Sequence, residues 1–227
     1  MIFAIAGSIG SGKNTAAEYL SNFYDFRHES FAASVKDAIS VIFGWDRQLL
    51  EGYTKESREW REQKDEWWSK RLSMHITPRI VMQTWGTELG RNTFHQDIWV
   101  ASLENKIRNY KDNIVISDCR FLNEFNMIQK SGGKIIKVNK GLDPIWKQHA
   151  IDAFNGSDFD KEILMNTYGI HESDWTLYGL KFDYEIDNNG SIQELYSKID
   201  TIVNKNSFMI NTIIPDIVSE ESWSKLF

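Results

Sequence analysis

Ile2-Phe3-Ala4-Ile5-Ala6-Gly7-Ser8-Ile9-Gly10-Ser11-Gly12-Lys13-Asn14-Thr15 lies at the head of the chain, and the fold class becomes legible there. Five apolar residues bounded by glycine predict a short, fully buried strand. Ala16, Ala17, Tyr19 and Leu20 then suit a helix opening at Lys13. Between the two runs Gly7-x-x-x-x-Gly12-Lys13, the spacing of a phosphate-binding loop in the strand-to-helix context that the motif requires. Its glycines let backbone N–H groups converge on phosphate oxygens, and the helix start adds partial positive charge. Lys13 reaches the outer phosphates. A glycine turn that merely caps a helix is the bland alternative, and the position at the first strand–helix junction argues against it. Gly10, Ser11, Gly12, Lys13, Asn14 and Thr15 are therefore the candidate nucleotide-binding residues. Asn14 stands where Ser or Thr usually follows the lysine, so Thr15 is the candidate hydroxyl for a metal ion.

Further along, Ile114-Val115-Ile116 reads as a second buried strand ending at Ser117-Asp118. A helix over 121–130, the turn Ser131-Gly132-Gly133 and a strand over 135–138 follow. A last strand over 183–187 and a closing helix over 192–203 complete the series. Strands alternating with helices imply a largely parallel sheet covered on both faces, an α/β fold. Between them, 45–76 is charged and Trp-rich (Trp60, Trp67, Trp68) and reads as a helical insertion projecting from the sheet. Thr77-Pro78 starts another helix, with Thr77 as its cap. Residues 143–178 read as the least regular region. The expected division is one domain over 1–204, with the insertion at 45–76 and a lid-like region at 140–180, and a tail over 205–227.

Asp118-Cys119-Arg120 falls at the carboxyl end of a strand, where parallel sheets bind ligands, and Glu124 follows one turn after Arg120. Asp118 could order Mg²⁺ or act on an acceptor, Arg120 could grip a phosphate, and Glu124 could orient Arg120 or meet a substrate base. A capping Asp and an i,i+4 ion pair are the bland alternative, worth about 0.3–0.5 kcal/mol. Lys36 near the start of the second helix and Arg58, Arg61, Arg71, Arg79 and Arg91 supply cations. A single arginine on a helix is usually a solvated face, and Arg79 stands out only by its place in the first turn after Thr77-Pro78.

The chain of 227 residues carries a formal charge of −6, with 41% apolar and 13% aromatic residues. Its acidic balance disfavours a nucleic-acid polymer as partner. A single Cys119 excludes an internal disulfide and suits a reducing cytoplasm. No apolar run is long enough to span a bilayer, and the apolar start is too short for a secretory signal.

These motifs also occur together in a recognisable order. Gly7 to Thr15, Ser34-Val35-Lys36-Asp37-Ala38, Glu56-Ser57-Arg58-Glu59-Trp60-Arg61, Thr77-Pro78-Arg79, Trp85-Gly86-Thr87-Glu88, Asp97-Ile98-Trp99-Val100, Asp118-x-Arg120-x-x-x-Glu124 and Ile186-Asp187-Asn188-x-Gly190 resemble the phage-type deoxynucleoside monophosphate kinases. The resemblance implies a P-loop kinase fold that moves the γ-phosphate of ATP, with Mg²⁺, to a deoxynucleoside 5′-monophosphate. It implies that Lys36, Arg58 and Arg79 hold the acceptor phosphate, with Val35 beside them. Gly86, Thr87 and Trp99 would shape the base pocket, Asp118, Arg120 and Glu124 would complete the acceptor site, and Asn188 and Gly190 would lie near the adenine. Lys13, Arg79, Asp118 and Arg120 are the candidate catalytic residues. The lid-like region departs from the family in containing no Arg, which leaves Lys140, Lys147 or a residue from elsewhere to face the transferred phosphate. His171, in the same region, reads as structural rather than catalytic. A small-molecule acceptor, no membrane, and a cytoplasmic location (the host's, if phage-encoded) go with this reading, and a homodimer is allowed. The rivals are a kinase of another small acceptor such as dephospho-coenzyme A, and a nucleotide-hydrolysing switch or DNA-handling NTPase.

Overall fold

In the computed structural model, the backbone is described through Ile213 and side chains through Ser207. Five strands, β1 (Ile2–Ala6), β2 (Arg27–Glu29), β3 (Ile114–Ile116), β4 (Lys134–Asn139) and β5 (Tyr184–Asp187), form one sheet in the order β2-β3-β1-β4-β5. Every pairing is parallel, with Phe3 opposite Val115 on one side of β1 and Lys134 on the other. This is the predicted parallel α/β sheet, and its order puts the phosphate loop over the central strand.

The pleat sends alternate residues to opposite faces. Phe3 and Ile5 pack with Leu20 of α1 (Lys13–Tyr24) and with Leu195 and Ile199 of the closing helix; Ala4 and Ala6 pack on the other face with Val100, Leu103 and Phe125. Small Ala4 and Ala6 let that second helix layer come close to the strand that carries the loop.

The helix α2 (Ala33–Phe43) ends at Gly44, whose φ of 70° is the left-handed geometry of a C-terminal cap. The insertion then forms α3 (Lys55–Glu62) and α4 (Glu66–Leu72), each started by a side chain: Thr54 accepts from the Ser57 N–H and Asp65 from that of Trp68. Its aromatics find partners: Trp45, Trp60 and Trp68 join Phe43, Trp85, Ile39 and Val81 in a separate core. Trp67 alone of the group stays largely exposed. Thr77 caps α5 (Pro78–Gln83) by accepting from the Ile80 N–H at 3.1 Å, as its sequence predicts.

The chain does not continue α5 as an ordinary helix to Gly86 or Gly90. Residues Thr84–Phe94 widen into π-helical turns, which then give way to α6 (Ile98–Ile107). After β3 comes α7 (Leu122–Lys130). The region expected to be irregular is mostly helical: α8 (Lys147–Phe154), α9 (Asp158–Glu162) and the single turn α10 (Glu172–Trp175) enclose Ala150, Ala153, Leu164 and Trp175 in a small core of their own. Its short helices and aromatics hid the apolar periodicity. The last helix, α11 (Ile192–Ile213), runs ten residues beyond the expected end at Val203 and across the 204/205 boundary. Among the described residues no helix is long and apolar enough to cross a membrane.

Candidate active site

Ala6 ends β1, and Gly7 turns the chain at a φ of 144°. A side chain there would collide with the Val138 carbonyl of β4, so only glycine lets the loop leave the sheet at this angle. Gly12, at φ 103°, starts α1 and lies against the Asn188 carboxamide. Asn188 Nδ2 donates to the Ser11 carbonyl at 2.8 Å, tying the loop to the turn after β5.

Lys13 is 8% exposed, and its Nζ donates to the carbonyls of Gly7 at 2.8 Å and Ser8 at 2.6 Å. Burial lowers its pKa to about 8; Arg120 pushes the same way, and Asp174 and Asp118 oppose it. Close by, the buried Ser11 hydroxyl has no hydrogen-bond partner within the protein. A buried cation and an orphaned donor in one glycine loop are the features a polyphosphate satisfies. The residues present therefore fit a nucleoside triphosphate.

The loop borders a cleft of about 920 Å³ outside the carboxyl ends of β1, β2 and β3. Of the residues predicted from sequence, Gly10, Gly12, Lys13, Asn14, Thr15, Val35, Lys36, Arg58, Arg79, Gly86, Thr87, Trp99, Asp118, Arg120 and Glu124 all line it. Ser11, Asn188 and Gly190 lie outside this lining; Gly190 sits against the Glu194 carboxylate.

Opposite the loop, Lys36 Nζ pairs with Glu51 at 2.5 Å. Burial acts to raise the Glu51 pKa, but Lys36 and Arg47 outweigh it and hold the group below its ordinary value. Arg58 donates to the Tyr53 carbonyl at 2.9 Å, and Arg79 pairs with Glu62 at 2.8 Å. Arg61, on the same face of α3 as Arg58, also enters the cleft.

The strand-end group differs from expectation in two respects. Asp118 is occupied by backbone: its two carboxylate oxygens accept from the Phe31 N–H at 2.9 Å and the Ala32 N–H at 3.0 Å. It therefore anchors the start of α2. No i,i+4 pair forms between Arg120 and Glu124. Glu124 Oε2 accepts from the backbone N–H groups of Arg120 (2.7 Å) and Phe121 (3.1 Å), while Oε1 meets Arg91 at 2.6 Å. The Arg120 guanidinium points elsewhere, 3.9 Å from Asp174 of α10. A side chain at the first turn of a helix reaches its own N-terminal amides more easily than a neighbour's guanidinium, which explains the difference. Among the described residues no cluster of three acidic, His or Cys side chains could hold a metal by itself.

Trp99 Nε1 donates to the Gly86 carbonyl at 2.7 Å, closing the π-helical stretch over the cleft. Lys147 pairs with Asp143 and neither it nor Lys140 lines the cleft, whereas His171 does, besides capping α10 through Ser173. Glu51 and Tyr53 are cleft residues that the sequence reading did not name, and Arg61 and Arg91 were named there only as cations, without a role. The only available signal was the i,i+3 spacing of Arg58 and Arg61, which places them on one helix face.

A family model described as deoxynucleotide monophosphate kinase matches residues 51–153. A putative deoxynucleotide monophosphate kinase of Acanthamoeba polyphaga mimivirus is 29% identical over 225 residues, covering 92% of this chain and 99% of the relative. The deoxynucleoside-5′-monophosphate kinase of Escherichia phage T5 is 26% identical over 181 residues, 58% of this chain and 72% of the relative. Among solved structures, shikimate kinase from Aquifex aeolicus (13% identity, TM-score 0.44) covers 92% of this chain and 99% of its own. Dephospho-CoA kinase from Campylobacter jejuni (16%, TM-score 0.45) covers 91% and 96%. The resemblance read from the motifs is borne out by relatives that carry the same description.

Proposed function

We propose, on the premise that this chain belongs with the deoxynucleotide monophosphate kinases it matches, that it transfers the γ-phosphate of ATP to a deoxynucleoside 5′-monophosphate, giving ADP and the diphosphate. The observation that carries the reading is a single cleft with a phosphate loop on one wall and Lys36, Arg58, Arg79 and Arg120 on the others. Two anions held face to face are what phosphoryl transfer asks of a protein, which needs no covalent intermediate.

In this reading the loop amides, the Ser11 hydroxyl and Lys13 hold the triphosphate. A Mg²⁺ ion held by Thr15 and phosphate oxygens would neutralise charge on the transferring group. Lys36, Arg58 and Arg79 hold the acceptor's phosphate, and Arg120 lies between the two anions. Val35, Gly86, Thr87 and Trp99 bound the base, and Asn188 steadies the loop beside the adenine, with Gly190 in the adjoining turn. Asp118 acts by positioning α2, hence Val35 and Lys36, rather than as a base. The insertion at 45–76 carries the acceptor arginines, and 140–180 acts as the lid, with closure excluding water. Such an enzyme would work in the cytoplasm, the host's if phage-encoded.

The test is ADP release from ATP with each common deoxy- and ribonucleoside monophosphate, alongside dephospho-coenzyme A and a sugar acid. Formation of deoxynucleoside diphosphate is expected. Hydrolysis indifferent to every mononucleotide would overturn the reading.

A further inference from the structure

Four cations of the cleft have a carboxylate within ion-pair reach: Lys36 has Glu51, Arg79 has Glu62, Arg91 has Glu124 and Arg120 has Asp174. Lys13, Arg58 and Arg61 pair with no carboxylate among the described residues, but Lys13 donates to the Gly7 and Ser8 carbonyls and Arg58 to that of Tyr53 at 2.9 Å, which leaves Arg61 the least satisfied of the three. Its Nε is buried and makes no hydrogen bond, and its one contact is a long 3.5 Å donation to the Glu51 carbonyl. Burial lowers its pKa, the like charges of Arg79 and Arg58 push the same way, and Glu62 and Glu51 oppose them.

Gly52 makes this arrangement possible. Its φ of 69° is left-handed, and a Cβ there would overlap the Arg61 guanidinium where it stands. A glycine that clears room for a guanidinium at a cleft wall, beside Arg58 and Arg79, builds a cationic patch in which Arg61 itself has no direct ion pair. Desolvated, unpaired positive charge is costly unless an anion completes it.

We infer that Arg61, seated on Gly52, is a ligand of the acceptor's phosphate, with its planar fork gripping two phosphate oxygens. The inference rests on the proposed function and adds a residue and its seat to that reading. It makes the phosphate, rather than the base or sugar, the part of the acceptor that Arg61 recognises.

Steady-state kinetics of Arg61→Ala, Arg61→Gln and Gly52→Ala test it, with thermal melts run in parallel. Each is expected to raise KM for a deoxynucleoside monophosphate about ten- to a hundredfold, the loss of one charge-assisted contact, with KM for ATP unchanged. The inhibition constant of the unphosphorylated deoxynucleoside should stay the same in all three. Arg61→Gln keeps the stem and decides the matter if the alanine chain does not fold. An unchanged acceptor KM in a folded variant, or equal weakening of nucleoside and nucleotide, overturns the inference while the wild-type transfer stands. A wild-type chain that phosphorylates no mononucleotide overturns the proposed function and this inference with it.

Discussion

Arg91 and Glu124 form an ion pair of 2.6 Å, with side chains 11% and 2% exposed, and through it the π-helical stretch is tied to the amides that begin α7. The Arg91 guanidinium also lies over the Phe121 ring, 4.3 Å from its centroid. The pair stands directly behind Arg120, whose backbone N–H Glu124 holds.

Glu124 should make the enzyme acid-sensitive. Burial raises its pKa to about 7, Asp118 adds to the shift, and Arg91 with the two amides opposes it. Below that pH the carboxyl takes a proton and loses its hold on Arg91 and the amides. We expect kcat/KM to fall on the acid side of about pH 7 and this limb to vanish in Glu124→Gln, at lower overall activity. Stability has the opposite sign. A carboxyl whose folded pKa is raised binds more protons folded than unfolded, so its contribution is lost as pH rises from the ordinary 4.5 through about 7. Melts of wild type against Glu124→Gln across that window check it; identical slopes would refute the assignment.

Lys13 predicts a trade between stability and rate. Its pKa is lowered to about 8, so the folded protein binds fewer protons than the unfolded chain between there and 10.5, and stability from this group rises across that range. ATP should bind more weakly as pH passes about 8. Lys13→Met should leave the free protein as stable or more so while cutting transfer about ten- to a hundredfold or more, the worth of a charge-assisted contact of about 1.5–3 kcal/mol. Calorimetry and initial rates on the same preparation decide; full activity in Lys13→Met would discard the loop assignment.

The sheet and the loop were legible because both are local: an apolar run, glycines at fixed offsets and a lysine are read along the chain. So was the cap at Thr77. The partners of Asp118 and Glu124 were not, because they are chosen by backbone amides that only the folded chain brings near; Asp118 reaches 87 residues back to Phe31. Arg61 was hidden for a similar reason. Its meaning depends on Gly52, nine positions away, and on Glu51 being taken by Lys36 and Arg47. The π-helical widening at 84–94 leaves no mark in spacing; it accompanies the Trp99 indole, which donates to the Gly86 carbonyl and lies against Gly90, contacts made only in the folded chain.

The contact with Gly90 yields a prediction of its own. A Cβ at Gly90 would stand 2.6 Å from Trp99 Cζ2 and 2.8 Å from the Trp85 carbonyl. Gly90→Ala should destabilise the chain by about 1–3 kcal/mol, the cost of overpacking, and raise the acceptor's KM as Trp99 loses the Gly86 carbonyl. Trp99→Phe removes the hydrogen bond without the collision and should give the smaller loss. Denaturant midpoints rank the two; a Gly90→Ala chain as stable as wild type would show that the indole is free to move.

Asp118 separates a positioning role from a chemical one. Each of its oxygens accepts one amide, from Phe31 and Ala32, and those amides set where α2 begins and so where Val35 and Lys36 stand. Asp118→Asn keeps one acceptor but turns an NH₂ toward the other N–H, a clash of donors that should cost about 1–3 kcal/mol. Asp118→Glu keeps the charge but moves it by a methylene. If Asp118 works by position, both variants raise the acceptor's KM and lower the melting temperature together, and the pH dependence of kcat keeps its shape. Were it instead a base for the attacking phosphate, Asp118→Asn would abolish kcat at unchanged KM and stability. The two carboxylate oxygens already facing amides favour the first outcome.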